Sequence, residues 1–436
     1  MAYLPNTEKQ RREMLDFLGL KSEAELYADI PLELRAGPLD IPDGLGELGS
    51  LRLFSRLASQ NTVFGSIFRG AGAYRHFIPA IVGETVSKKR LKTAYTPYQP
   101  EVSQGVLQGL FEFQTMICRL TGFDATNASI YDGASAAGEA VAMCRDRKRR
   151  RALVSATVNP AIAEVVKTYS WAADGAVDMA PEKNGLTDMG RLEQMLDEGV
   201  SSILIQQPNY YGLIEDARGI VALAREKGVK VIVSANPIAM AILQTPAECG
   251  ADIAVGDGQP LGIPLSFGGP YLGFIAATSE FLRKIPGRIV GETSDAQGRR
   301  AFVLTLQARE QHIRRETAGS NLCTSQVLCA LAASAYMAAM GPEGMAQAAS
   351  QSMSKAHYLA AELAKAGFPR RHDAPFFHEF VTECPVEPEA LMDRLAQNGI
   401  LGGLPLPGGG VLWCATEMNS AEEIDRLVAL CKEAQK

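Results

Sequence analysis

No lysine occurs between Lys230 and Lys284, no two cysteines stand in C-x-x-C spacing, and the chain has only five histidines. Each absence removes a class of chemistry. Without C-x-x-C pairs or an H-E-x-x-H helix there is no frame for a zinc site, and His372 and His378, six apart, have poor ligand spacing. No metal is expected. The cysteines (118, 144, 249, 323, 329, 384, 414 and 431) are scattered, which fits reduced thiols in a cytoplasmic protein rather than a disulfide framework. An excess of positive charge is also lacking. A net charge of −6, 43 basic against 49 acidic residues, speaks against nucleic acid or a membrane as partner. The one basic run, RDRKRRR at 145–151, reads as a solvated helix end. The longest apolar stretch, Val327–Met340, halts at Gly341-Pro342, a buried helix too short to cross a bilayer. The N-terminal stretch holds no apolar signal core.

What is present is an α/β pattern. Residues 1–60 have helical spacing broken by Pro31, Pro38 and Pro42, as in a leader wrapped on something larger. A helix is expected over 106–120, then strands at 151–156, 202–206, 229–234, 252–255 and 273–277, with helices at 160–169 and 216–227 between them. Short apolar strands alternating with amphipathic helices predict a mainly parallel sheet covered on both faces. After the apolar helix, strands at 377–383 and 411–416 and helices at 388–399 and 420–434 predict a small α+β domain. The expected division is 1–60, an N-terminal helical extension; 61–345, the large α/β domain; and 346–436, the small one.

The stretch ADIAVGDGQPLGIPLSFGGPY at 251–271 has the form of a cofactor loop. A pyridoxal-phosphate (PLP) enzyme needs a lysine there for its Schiff base and an acid for the pyridinium nitrogen. The lysine is missing, and Ser234, Ala235 and Asn236 stand where the acid is expected. Asp252 and Asp257 follow on the next strand, again with no lysine after them. Covalently held PLP is therefore not expected. Gly133, Ala134 and Ser135 open a helix after a short apolar run and would offer backbone amides to a phosphate, although a plain strand-to-helix junction explains them more simply. GAGAYR at 70–75 lacks the third glycine of a dinucleotide turn and is set aside. Two polar segments are harder to assign to packing. YTPYQPEVSQG at 95–105 joins rigid prolines to directed polar groups, as a binding or interface loop does. LQAREQHIRRETAGSNLCTSQ at 306–326 gathers Arg309, His312 and Arg314.

Read together, AGAYRHFIPA (71–80), TAYTPYQPEVSQG (93–105), NASIYDGASAAGEA (127–140), QQPNYYG (206–212) and REQHIRRETAGSNLCTSQ (309–326) resemble the glycine cleavage system P-protein family, in its N-terminal half or separate subunit 1. The resemblance implies an α/β, PLP-dependent transferase-like fold (fold type I) with a small C-terminal α+β domain. It places Gln259 at the Schiff-base lysine position, so that Gly133, Ala134 and Ser135 become a vestigial phosphate turn with no cofactor of their own. It implies a PLP-bearing subunit 2 in an α2β2 heterotetramer. The complex would decarboxylate glycine and pass the aminomethyl group to the lipoamide of H-protein. Tyr95, Tyr98, Glu101, Arg309, His312 and Arg314 become candidates for the partner's active site or the interface. Two other readings are a purely structural or regulatory partner and a self-sufficient PLP enzyme using Lys230 or Lys284.

Overall fold

The computed structural model describes residues 5–37, 40–92 and 97–435. It divides into two compact units, Met1–Val63 and Phe64–Lys436.

The first unit carries two α-helices, Glu8–Leu18 and Glu47–Ala58. Thr7 opens the earlier one with a capping box: its hydroxyl accepts from the Gln10 amide, and the Gln10 side chain accepts from the Thr7 amide at 2.9 Å. Gly19 closes that helix at φ 72°, where a side chain would be strained. Leu15 is the one buried apolar residue among the described residues of this unit, while Phe17, Leu32 and Phe54 are exposed. The described residues of this unit form no buried apolar cluster of their own.

The second unit is built on a seven-stranded sheet. Its strands are β1 (Ala125–Thr126), β2 (Arg151–Ser155), β3 (Ala176–Ala180), β4 (Val200–Gln207), β5 (Lys230–Ala235), β6 (Ile253–Asp257) and β7 (Gly273–Ala277). The spatial order is β1-β7-β6-β5-β4-β2-β3. From β6 to β3 all neighbours run parallel, whereas β7 is antiparallel to both β6 and β1. Alternation along the strands feeds two cores. Leu153, Ile203 and Val233 join one cluster, and Val154, Leu204 and Ile232 join the other. Helix α1 (Pro100–Thr121) buries Leu107, Leu110, Phe113 and Ile117 in the first cluster, and α4 (Ala217–Glu226) adds Ile220 and Ala224. The second cluster is covered by α2 (Gly133–Cys144) and α3 (Pro160–Ala172).

Helix α5 (Val327–Lys365) is broken at Gly341-Pro342, where the apolar pattern suggests a stop, and a second helical run follows directly. Gly341 breaks the ladder at φ 62° and ψ 178°, and Pro342 then opens a further helical run, a position where its missing N–H costs nothing. The second half of α5 places Leu359 and Leu363 in a third core. That core also takes in α6 (Pro388–Gln397), α7 (Ala421–Glu433) and an antiparallel sheet of β8 (Glu379–Thr382), β9 (Leu404–Pro405) and β10 (Val411–Cys414). The division expected at 345/346 falls inside α5. Phe68 and Leu213, far upstream, belong to this third core as well. Their neighbour Gly212 has φ 82°, and a Cβ there would lie 1.9 Å from the Glu379 carbonyl oxygen. Only glycine allows the QQPNYYG turn to dock on β8.

Candidate functional site

A cavity of about 400 Å³ opens at the carboxyl ends of the parallel strands. Such ends are where open α/β sheets place their ligands. Gln206 of β4, Ser234 and Ala235 of β5 and Asp257 of β6 reach it, together with the start of α2 at Gly133 and Ala134. The segment Gly70–Tyr74 and the pair His378 and Glu379 complete the wall.

The fit of PLP to this cavity can be tested group by group. Gln259, 2% exposed, gives all its bonding to the protein. Its Oε1 accepts from the Tyr74 amide at 2.8 Å, and its Nε2 donates to the carbonyls of Tyr74 (3.0 Å) and Ile263 (2.8 Å). An amide cannot form a Schiff base, and both of this one's N–H donors are already spent on backbone carbonyls. Asn236, after β5, caps the next turn, its Oδ1 accepting from the amides of Ile238 and Ala239 at 2.9 and 3.2 Å. The phosphate turn is held by acids. Asp132 Oδ1 accepts from the Ser135 amide at 2.7 Å, and Asp257 Oδ2 accepts from the Gly133 amide at 3.0 Å. A Cβ at position 133 would fall 2.8 Å from the Asp257 amide, so α2 and the end of β6 touch backbone to backbone. A phosphate here would displace two carboxylates or face them. Among the described residues, no lysine or arginine lines the cavity. Lys230 pairs with Asp252 (3.1 Å) and Glu280 (3.2 Å), and Lys284 donates to the Met143 carbonyl (3.3 Å). The residues present do not fit PLP.

Across the cavity, Glu379 takes both of its bonds from the 70–76 segment. Its Oε1 accepts from the Ala71 amide at 2.6 Å, and its Oε2 accepts from the Tyr74 hydroxyl at 2.7 Å. Burial pushes Glu379 up to about 7 against both of those bonds. It likewise lifts Asp257 to about 6, with Asp132 alongside adding to the shift and the Gly133 and Gln259 amides opposing it. His378 packs its ring 4.5 Å from Tyr74 and is held neutral, since burial, and then His76, drive its pKa well down.

Both acids bind protons more tightly folded than unfolded. Their effect on stability is therefore most favourable below an unfolded pKa of about 4, and it is lost as pH rises through the folded values. Between about pH 5 and pH 8 the chain is expected to lose on the order of 3 kcal/mol through Glu379. Glu379→Gln, which can still bond Ala71 and Tyr74, should flatten that part of the curve in urea titrations. An unchanged slope in the variant would contradict a buried, protonated Glu379.

The sequence model of the family described as glycine cleavage system P-protein matches residues 1–431. The chain belongs to that family. It is 47% identical over 440 residues to the probable glycine dehydrogenase (decarboxylating) subunit 1 of Desulforamulus reducens, spanning 98% of this chain and 99% of that one. A crystal structure of glycine decarboxylase (P-protein) of the glycine cleavage system, in inhibitor-bound form, superposes with a TM-score of 0.94 at 41% identity, all of each chain being covered. A C-DES mutant with glycine covalently linked to its PLP cofactor shares the fold at TM-score 0.63 and 15% identity, over 90% of this chain and all of that one. The fold is that of the fold-type-I PLP enzymes.

Within this P-protein-family chain the remaining candidate residues lie elsewhere. None of Tyr98, Glu101, Arg309, His312 and Arg314 lines the cavity, and Tyr95 lies outside the described residues. Glu101 is not in a loop. Pro100 starts α1 at its first position, which puts Glu101 on the first helical turn, where a carboxylate suits the helix dipole. Arg309 is committed internally, donating to the carbonyls of Ile285 and, at 2.6 Å, Gly287. Arg314 is exposed and donates to the Ala308 carbonyl at 3.0 Å. Tyr98 and His312 do meet, with ring centroids 6.2 Å apart. What joins them to the body of the protein is a residue the sequence did not single out. Arg288, 3% exposed, donates to the Tyr98 hydroxyl at 2.6 Å and to the Cys323 carbonyl at 2.7 Å, and lies 5.0 Å from the Tyr98 ring. A lone arginine in an apolar run carries no motif.

Proposed function

We propose that this chain is subunit 1 of a heteromeric glycine dehydrogenase (decarboxylating), folded as a PLP enzyme but not itself holding PLP. The observation that carries the reading is Gln259, buried and hydrogen-bonded to the backbone through both ends of its amide where a cofactor lysine is expected, in a chain of this family. The names of the relatives support the subunit role and the activity.

In this reading a second subunit holds PLP, in an α2β2 assembly. PLP supplies the electron sink for loss of CO2 from glycine, and the lipoamide of H-protein takes the aminomethyl group and the oxidising role. This chain's part is to shape and close the partner's pocket. Tyr98, fixed by Arg288, presents its ring to solvent beside His312, with exposed Val102 and Ile313 nearby in sequence. Such a half-exposed aromatic, already ordered, suits an interface. Arg309 supports a more structural role, because its guanidinium is spent on the chain's own carbonyls.

The test is direct. The purified chain is treated with excess PLP, reduced with borohydride and weighed intact. No phosphopyridoxyl adduct is expected, and glycine–CO2 exchange should appear only when the second subunit is added. A stoichiometric adduct on one lysine would overturn the proposal.

A further inference from the structure

We propose, building on the subunit reading, that loop 265–269 is a preformed plug whose Phe267 ring enters an apolar pocket of the second subunit. Phe267 is fully exposed, at 103%, more than any other large apolar side chain among the described residues. Its backbone is unusual as well. Phe267 has φ 54° and ψ 29°, and Ser266 before it has φ 44°. A bulky side chain in the left-handed region is rare and strained. One residue thus combines a strained backbone with an aromatic ring that gains nothing from the chain's own cores, and such outliers gather where a protein binds. The turn is nonetheless built. The Gly268 amide donates to the Leu265 carbonyl at 3.0 Å, the Gly269 amide to the Ser266 carbonyl at 3.3 Å, and the Tyr271 hydroxyl to the Leu265 carbonyl at 2.8 Å. Tyr271 in turn packs against the first core. A ring held out by a tied turn loses little conformational entropy on docking.

Two features select the second subunit over a second copy of this chain. The loop is continuous with the Tyr98 patch. The Pro270 carbonyl lies 4.0 Å from Cys329 Sγ at the start of α5, next to exposed Leu328, and Ser325 lies 3.5 Å from Arg288, which fixes Tyr98. The exposed side chains of Tyr98, Leu328 and Phe267 are thus linked through Arg288, Ser325 and Pro270. The second feature is the concave surface beside the loop, the cavity that Gly268 and Tyr271 help to line. In a symmetric pairing of two copies through this patch, that surface would have to receive the ring, and its Asp132 and Asp257 carboxylates are poor neighbours for a phenyl group.

The experiment is calorimetric titration of the full chain with the purified second subunit, with sedimentation velocity of the chain alone beside it. Phe267→Asn removes the ring and tolerates the left-handed conformation, and should weaken binding about thirtyfold, as the loss of an interface anchor does. Its urea midpoint should not fall, because the ring packs against no core; a lowered midpoint would make the ring structural and overturn the plug. Phe267→Tyr should bind nearly as the parent chain does. Trp171→Ala, at another exposed aromatic on α3, should leave binding unchanged. Failure of the parent chain to bind the second subunit would overturn the subunit reading and the plug with it. Undiminished binding by Phe267→Asn, where the parent chain binds, would overturn the plug alone. So would self-association of the chain that Phe267→Asn abolishes without touching its affinity for the second subunit, which would assign the loop to a second copy.

Discussion

Gln259→Leu is expected to destabilise the second unit by about 3 kcal/mol or more, one of the largest single-residue effects in the chain. The leucine leaves the Tyr74 amide and the carbonyls of Tyr74 and Ile263 without partners, at roughly 1–3 kcal/mol for each buried group. A shifted urea midpoint with an unchanged m-value is the signature of that loss. Gln259→Lys tests the same site from the other direction. A lysine can donate to the two carbonyls but cannot accept from the Tyr74 amide, so the variant should also lose stability. It should gain no phosphopyridoxyl adduct after PLP and borohydride, because the amides of Gly133 and Ser135 remain capped by carboxylates. An adduct formed by this single substitution would show that the acids yield to phosphate.

The second large effect is expected at Arg288. Arg288→Met removes the donors that fix the Tyr98 hydroxyl and the Cys323 carbonyl. In a complex reconstituted with the second subunit, glycine–CO2 exchange should fall by about a hundredfold, the cost of a displacement of about 1 Å in a group that orients substrate. Tyr98→Phe keeps the ring but loses the hydroxyl that anchors it, and should fall less. Arg314→Ala, at an exposed side chain with one backbone contact, should change little if the Tyr98 patch is the part that matters. Normal exchange and normal assembly in both Arg288→Met and Tyr98→Phe would leave the patch with a structural role only.

The sheet was legible because its strands are short apolar runs separated by helices of clear period. Of the five strands expected in it, the span of β7 coincides with the observed one and the other four differ by one or two residues at their ends, while β1 and β3 were not expected. One local signal misled: proline was taken as a stiffener of the 95–105 loop, whereas Pro100 begins a helix. The break at Gly341-Pro342 is where the pattern put it, but the helical run that Pro342 opens was not expected. The cavity was half legible. Gln259, the 133–135 turn and the 234–236 strand end lie in recognisable local contexts. His378 and Glu379 do not, since their partners in the 70–76 segment are some 300 positions away. One clue was available: a glutamate within an apolar strand, FFHEFVT, asks for a buried partner. Arg288 left no comparable trace, because Tyr98 is 190 residues upstream.

The two aspartates at the start of α2 also bear on what variation this chain can explore. Each holds a backbone amide, so removing either exposes a donor before any new ligand is there to take it. Restoring a cofactor lysine costs stability for the same kind of reason. A return to cofactor binding therefore crosses several individually unfavourable substitutions whose benefit appears only when all are present, a strongly epistatic path. Under the proposed division of labour between two kinds of subunit, this chain's side of it is in this sense a ratchet, held by hydrogen bonds that a working cofactor site would leave open.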